Sequence, residues 1–131
     1  MRESWLRVFF GMAACSWMPH WACHYYRLET GSNFVVGSWQ FSNFESAVSL
    51  VIYSGFIALN LIAIVRLNCP RTAATLSGIA HLAIGSLHAF RLFRPFRFEV
   101  FGHPWPQAAS LREALIVVPF GLFCLWIARQ K

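Results

Sequence analysis

Four histidines and a cysteine stand where they could share a ligand. His20, Cys23 and His24 close the first apolar run of the chain, and His81 and His88 lie within the third. Neutral imidazoles from two helices can hold a haem iron axially, and a set of nitrogen and sulfur donors can hold zinc or copper. The candidate cofactor ligands are therefore His20, His24, His81 and His88, and the candidate metal set is His20, Cys23, His24 and His88. The cofactor this chemistry suggests is haem b or a transition metal. The competing reading is interhelical packing, with each imidazole bonded to a neighbouring carbonyl or hydroxyl. His103 is the fifth histidine, in the loop after the third run.

The spacing places these side chains on helix faces. Residues four apart in a helix are neighbours, which sets His20 beside His24. Residues seven apart return to nearly the same face, so His81 and His88 share a stripe with the small residues Ala74, Gly78 and Gly85. Such a stripe lets another helix, or a flat macrocycle, approach closely. The segment His81-Leu82-Ala83-Ile84-Gly85-Ser86-Leu87-His88 resembles a haem-bearing helix of succinate dehydrogenase anchor subunits. The resemblance covers these eight residues and implies haem ligation by this helix; no family is assigned from it.

Composition says what carries these helices. Of 131 residues, 57% are hydrophobic and only 12% are charged, with no Asp. A soluble domain carries about 25% charged residues. Long apolar runs with so little charge indicate an integral membrane protein. Its expected surroundings are the lipid bilayer and other membrane protein subunits, in a bacterial inner or other energy-transducing membrane. The formal charge of +6 comes from Arg residues spread over termini and loops. No basic helix or RNA-binding motif accompanies them, which argues against nucleic acid and for anionic lipid headgroups.

Four apolar runs predict an all-α, antiparallel four-helix transmembrane bundle forming one domain over residues 1–131. The spans are expected at about 5–24, 44–65, 73–90 and 110–128. Pro19 should interrupt the hydrogen bonding of span 1, and Gly31 should end its helix. Met12-Ala13-Ala14-Cys15 imitates a lipoprotein cleavage box, but the apolar run continues through Ala22, which predicts an uncleaved span. In the first loop, Phe34–Val36 and Trp39–Phe41 flank Gly37-Ser38, a β-hairpin signal. Arg97–Phe101 alternates like a strand and could join that hairpin. Ser42–Glu45 and Ser110–Glu113 each read as a capping box opening a helix. Asn68 and Pro70 should end span 2.

Loops 1 and 3 should lie on one side of the membrane and loop 2 on the other. With both termini inside, six cations face in and five face out, a near balance that leaves orientation open. Cys15, Cys23, Cys69 and Cys124 form no C-x-x-C pair, and Cys69 would lie across the membrane from Cys23, which excludes a disulfide between those two. Ser46, Ser49, Tyr53 and Asn60 make a polar stripe along span 2, best read as interhelical hydrogen bonding. No internal repeat of convincing quality is visible, which argues against a transporter. No nucleophile elbow, P-loop or zinc-protease motif is present. The expected function is a non-catalytic accessory or assembly subunit of a larger membrane complex. The alternative is a small electron-transfer protein holding haem or metal through intramembrane histidines.

Overall fold

A computed structural model describes residues 3–66 and 70–130. Helix α1 (Glu3–Thr30) is followed by strands β1 (Phe34–Val36) and β2 (Trp39–Gln40) and by helix α2 (Asn43–Arg66). The same order then recurs: α3 (Pro70–Phe93), β3 (Phe98–Val100), β4 (His103–Pro104) and α4 (Gln107–Arg129). Residues 67–69, and with them Asn68 and Cys69, lie outside the described residues.

Local chemistry accounts for the element ends. Gly31 adopts φ +66° and its N–H donates to the Arg27 carbonyl at 2.8 Å, closing α1 as expected. Gly37, at φ +64°, turns β1 into β2. At the start of α2 the expected capping box is present. The Ser42 N–H donates to Glu45 Oε2 at 2.6 Å and the Glu45 N–H donates to Ser42 Oγ at 3.2 Å. The second expected capping box is not formed. Helix α4 opens earlier, at Gln107 with Pro106 as its N-cap, so Ser110 lies inside the first turn and is fully buried. Glu113 is thereby released from any capping role.

Among the described residues, α2, α3 and α4 are the helices long and apolar enough to cross a membrane. Helix α1 is not among them, although its 28 residues would reach about 42 Å at 1.5 Å per residue. Its Arg, Glu, His and Trp content separates it from the other three. The chain is thus a multi-pass helical membrane protein with three candidate spans and a fourth long helix packed along α2.

The four strands form one sheet in the order β2-β1-β3-β4, all neighbours antiparallel. Loops 1 and 3 therefore lie together, and Arg97–Phe101 does join the hairpin. Strand β4 was not foreseen from sequence. The register exposes a symmetry: Val35 pairs with Glu99, Phe34 with Val100 and Val36 with Phe98. Val35 and Glu99 are sixty-four positions apart, as are Phe34 and Phe98, and Val36 and Val100. Residue i meeting j while their counterparts meet in exchange is the signature of a two-fold relation. Strand bounds recur at the same offset, β1 onto β3 and β2 onto β4.

The chain is therefore built from two similar halves, α1-β1-β2-α2 and α3-β3-β4-α4, contrary to the sequence reading that no repeat was present. The shared residues are few but grouped: His-x-x-Arg-Leu at 24–28 and 88–92, Phe-x-Val at 34–36 and 98–100, and Ser46 with Ser110. Each half holds two helices joined by a two-stranded hairpin, and an approximate two-fold axis through the β1–β3 pair relates the halves.

Candidate functional site between the two halves

Beneath the sheet, where the halves meet, lies a cleft of about 170 Å³. His20, Cys23 and His24 reach it from α1, and His88 reaches it from α3. These are the four residues of the predicted metal set, brought together by the fold. Phe34, Phe98 and Trp105 supply aromatic walls, and Tyr53 and Glu113 add a phenol and a carboxylate. Tyr53 was read from sequence as part of a packing stripe and Glu113 as a cap.

Two of the cleft histidines are held in the same way. His24 Nδ1 lies 3.4 Å from Ser46 Oγ, and His88 Nδ1 lies 3.3 Å from Ser110 Oγ, across an equal separation of 22 residues. Each serine oxygen also accepts from a guanidinium: Arg27 Nη1 donates to Ser46 at 3.1 Å and Arg91 Nη1 to Ser110 at 2.7 Å. Both arginines continue onto the backbone that leads into the next helix. Arg27 Nη2 donates to the Phe41 carbonyl and Arg91 Nη2 to the equivalent carbonyl of Trp105. Arg27 also holds Asn43 Oδ1, and Arg91 holds the carbonyls of Phe96 and Pro106.

Burial makes these contacts strict. Arg27 and Arg91 are 6% and 9% exposed, and both serines are fully buried. Among the described residues the ion pairs are Arg97–Glu99 and Arg112–Glu113, so neither buried guanidinium meets a carboxylate. Removing a charge from water is costly unless its donors are satisfied; here neutral oxygens take the terminal nitrogens of both guanidinium groups and Nε of Arg91, while Arg27 Nε is buried without a partner. Arginine suits this task because its planar fork offers five donors in fixed directions.

A guanidinium always donates, so each serine oxygen is an acceptor toward its arginine. Each half thus builds a buried chain, arginine to serine to imidazole, that ends at the cleft. His24 packs on Phe34 with centroids 5.3 Å apart and His88 on Phe98 at 5.5 Å, so each imidazole meets the counterpart ring at a similar distance.

His81 belongs to a different environment. Its Nδ1 donates to the Ser77 carbonyl at 2.6 Å and its Nε2 lies 2.9 Å from Ser16 Oγ, while its ring sits 4.0 Å from that of Trp17. His81 and Trp17 are counterparts in the repeat, and they meet on the axis away from the cleft. The expected sharing of one site by His81 and His88 is not what the fold arranges. His103 is exposed on β4. The stripe of Gly78 and Gly85 packs against α4: a Cβ on Gly85 would lie 2.6 Å from Val118 Cγ2, and one on Gly78 would lie 3.0 Å from the Gly121 carbonyl. Among the described residues no group of three or more His, Cys, Asp or Glu side chains is arranged to hold a metal ion.

Sequence reasoning passed over Arg27, Arg91, Ser46 and Ser110 as site residues. The signal that could have found them is the twice-occurring His-x-x-Arg-Leu, each followed by Phe-x-Val and a serine at fixed distance. The chain matches no protein-family model, and no curated protein or solved structure is significantly similar to it.

Proposed function

We propose that this is a four-span membrane protein with no reaction of its own, holding a small ligand between its halves as an accessory or assembly subunit of a larger membrane complex. The observation that supports this reading is the cleft between the halves, lined by the matched pairs His24 with His88 and Phe34 with Phe98. Ligand sites are typically concave, mostly apolar and furnished with a few placed polar groups, which describes this cleft. Large apolar side chains such as Phe44, Val51 and Val65 cover the outside of α2 and suit lipid or a neighbouring subunit. An energy-transducing membrane, such as the bacterial inner membrane, is the setting we propose.

The second reading, a haem or metal electron-transfer protein, draws on the convergence of His20, Cys23, His24 and His88 on one cleft. A transporter gains the repeat as support, yet α2 runs through without the helix break that transporter sites usually use.

Two measurements test the proposal. Visible spectra and metal analysis of gently solubilised protein should show neither a haem band nor stoichiometric metal; a reduced-minus-oxidised haem band would favour the second reading. A cleft-filling change, Cys23→Phe, should release any co-purifying small molecule detected by mass spectrometry. Retention of that molecule would remove the cleft from the proposal. For the fourth span, a thiol placed at Ser38 and a tag on the N-terminus should be reached from opposite sides of sealed vesicles. Access from one side would leave α1 outside the bilayer.

A further inference from the structure

We infer that the ligand of this cleft is a neutral flat ring with two opposed hydrogen-bond-accepting oxygens, of the benzoquinone-headgroup class, received by the Nε2–H donors of His24 and His88. The inference rests on the reading of the cleft as a ligand site and names the chemistry that site accepts.

Three observations carry it. The first is the hydrogen-bond chain. Ser46 and Ser110 each accept from a guanidinium and lie 3.4 and 3.3 Å from Nδ1 of His24 and His88, so Nδ1 is the acceptor at hand for each buried hydroxyl proton. Both Nε2 atoms then bear hydrogen and seek an acceptor; in this tautomer neither offers a metal a lone pair. Hydrogen-bond chains polarise along their length, so the arginine at the head of each chain strengthens the donor at its end.

The second observation is charge. The terminal nitrogens of Arg27 and Arg91 donate to protein oxygens, Arg27 Nε is buried without a partner, and neither arginine lines the cleft. Glu113 does line it. The ligand therefore meets neutral donors, aromatic rings and one carboxylate, a setting that disfavours a phosphate or carboxylate and accepts a carbonyl.

The third is shape and symmetry. An apolar cavity of about 150 Å³ holds a benzene, so a cleft of about 170 Å³ has room for one substituted six-membered ring. Phe34 and Phe98 stand with centroids 5.9 Å apart across the axis. The two donors are related by the same axis. A para-quinone repeats that symmetry, with one carbonyl for each imidazole. The cleft is partly open rather than enclosed, which leaves room for a hydrocarbon tail to emerge.

Isothermal titration of the full-length protein in detergent with a short-chain benzoquinone tests this directly. Saturable one-to-one binding is expected, and an alkylbenzene with the same tail should not bind. A neutral hydrogen bond contributes about 1 kcal/mol, so His24→Leu and His88→Leu should each weaken binding about five- to tenfold. His103→Leu should change nothing. His88→Gln keeps a side-chain N–H donor and should lose less than His88→Leu; it also decides the matter if the leucine variants misfold. Unchanged binding in His24→Leu and His88→Leu, or equal binding of the alkylbenzene, overturns the inference. Binding of zinc, or of vesicles carrying an anionic phosphate headgroup, through the same histidines and without the quinone overturns the ligand class but leaves the cleft as a site. Failure of all three probes removes both.

Discussion

The halves agree where they meet under the sheet and diverge along their helices. Under the sheet, His24, Arg27, Phe34 and Ser46 repeat as His88, Arg91, Phe98 and Ser110, with matching hydrogen bonds. Away from it, α3 and α4 touch backbone to backbone through Gly78 and Gly121, whereas the counterparts in the first half are Ala14 and Ile57. Around the cleft, His20 and Cys23 have Ile84 and Leu87 as counterparts, and Glu113 has Ser49. A duplicated frame thus keeps the buried network that closes each helix–hairpin–helix unit, while helix packing and the cleft's remaining walls are free to differ. The network is constrained because each member satisfies another's buried polar group; an apolar helix contact can be rebuilt with other volumes.

The strongest test of that comparison removes the arginines. Arg91→Met leaves the Phe96 and Trp105 carbonyls and Ser110 Oγ without the arginine donor, the Pro106 carbonyl still accepting from the Ala109 and Ser110 N–H groups, and Arg27→Met leaves the Phe41 carbonyl, Asn43 Oδ1 and Ser46 Oγ. Each unsatisfied buried acceptor costs about 1–3 kcal/mol, so both variants should lose about 3 kcal/mol of stability or more, to a similar extent. Denaturation in mild detergent checks it; a harmless Arg27→Met beside a damaging Arg91→Met would mean the halves share geometry but not its importance.

Helix packing should respond in one half only. Gly78→Val forces a side chain against Leu125 and the Gly121 carbonyl, with a Cβ 3.0 Å from that oxygen. Overpacking of this kind costs about 1–3 kcal/mol. Gly55, in α2, has open space where a Cβ would sit, so Gly55→Ala should stabilise by about 0.5–1 kcal/mol through backbone entropy. Melting curves of the two variants should move in opposite directions.

The helix starts differ as well. Ser42→Ala removes the one side-chain cap that α2 has and should cost about 1 kcal/mol. Ser110→Ala should leave the start of α4 intact and instead weaken the packing of His88 and Arg91. Amide exchange at the first turn of each helix separates these outcomes.

The smallest effect lies on the sheet. Arg97 donates twice to Glu99, at 2.7 and 2.9 Å, and holds its carboxyl below the ordinary carboxylate range. A depressed value stabilises the fold at pH above that range, and the contribution is lost as pH falls through the folded value. The pair is solvent-screened, so the melting temperature should fall only slightly in acid, and Glu99→Gln should flatten that dependence. An unchanged acid slope in the variant would take Glu99 out of the sheet's stability.

Much of the architecture was legible in the sequence because its determinants act over a few residues. Apolar runs marked the helices, Gly31 and Gly37 supplied the left-handed conformations of a stop and a turn, and Ser42 met Glu45 three positions on. Arg97–Phe101 could be read as a strand from alternation alone. The histidine set His20, Cys23, His24 and His88 could be named from types and spacing, and it does gather at one cleft.

Only the tertiary structure decided what those residues do. Ser110 and Glu113 carried a capping signal that matched the one at Ser42, yet α4 begins three residues earlier because its chain enters through Pro106. Ser110 is then claimed by Arg91, nineteen residues back. The repeat was hidden because few side chains survive in both halves, and it became visible through the pairing of Val35 with Glu99. The proton on His24 and His88 is likewise a matter of partners: a sequence lists an imidazole, but which nitrogen donates depends on the hydroxyl and guanidinium that the fold brings to its other side.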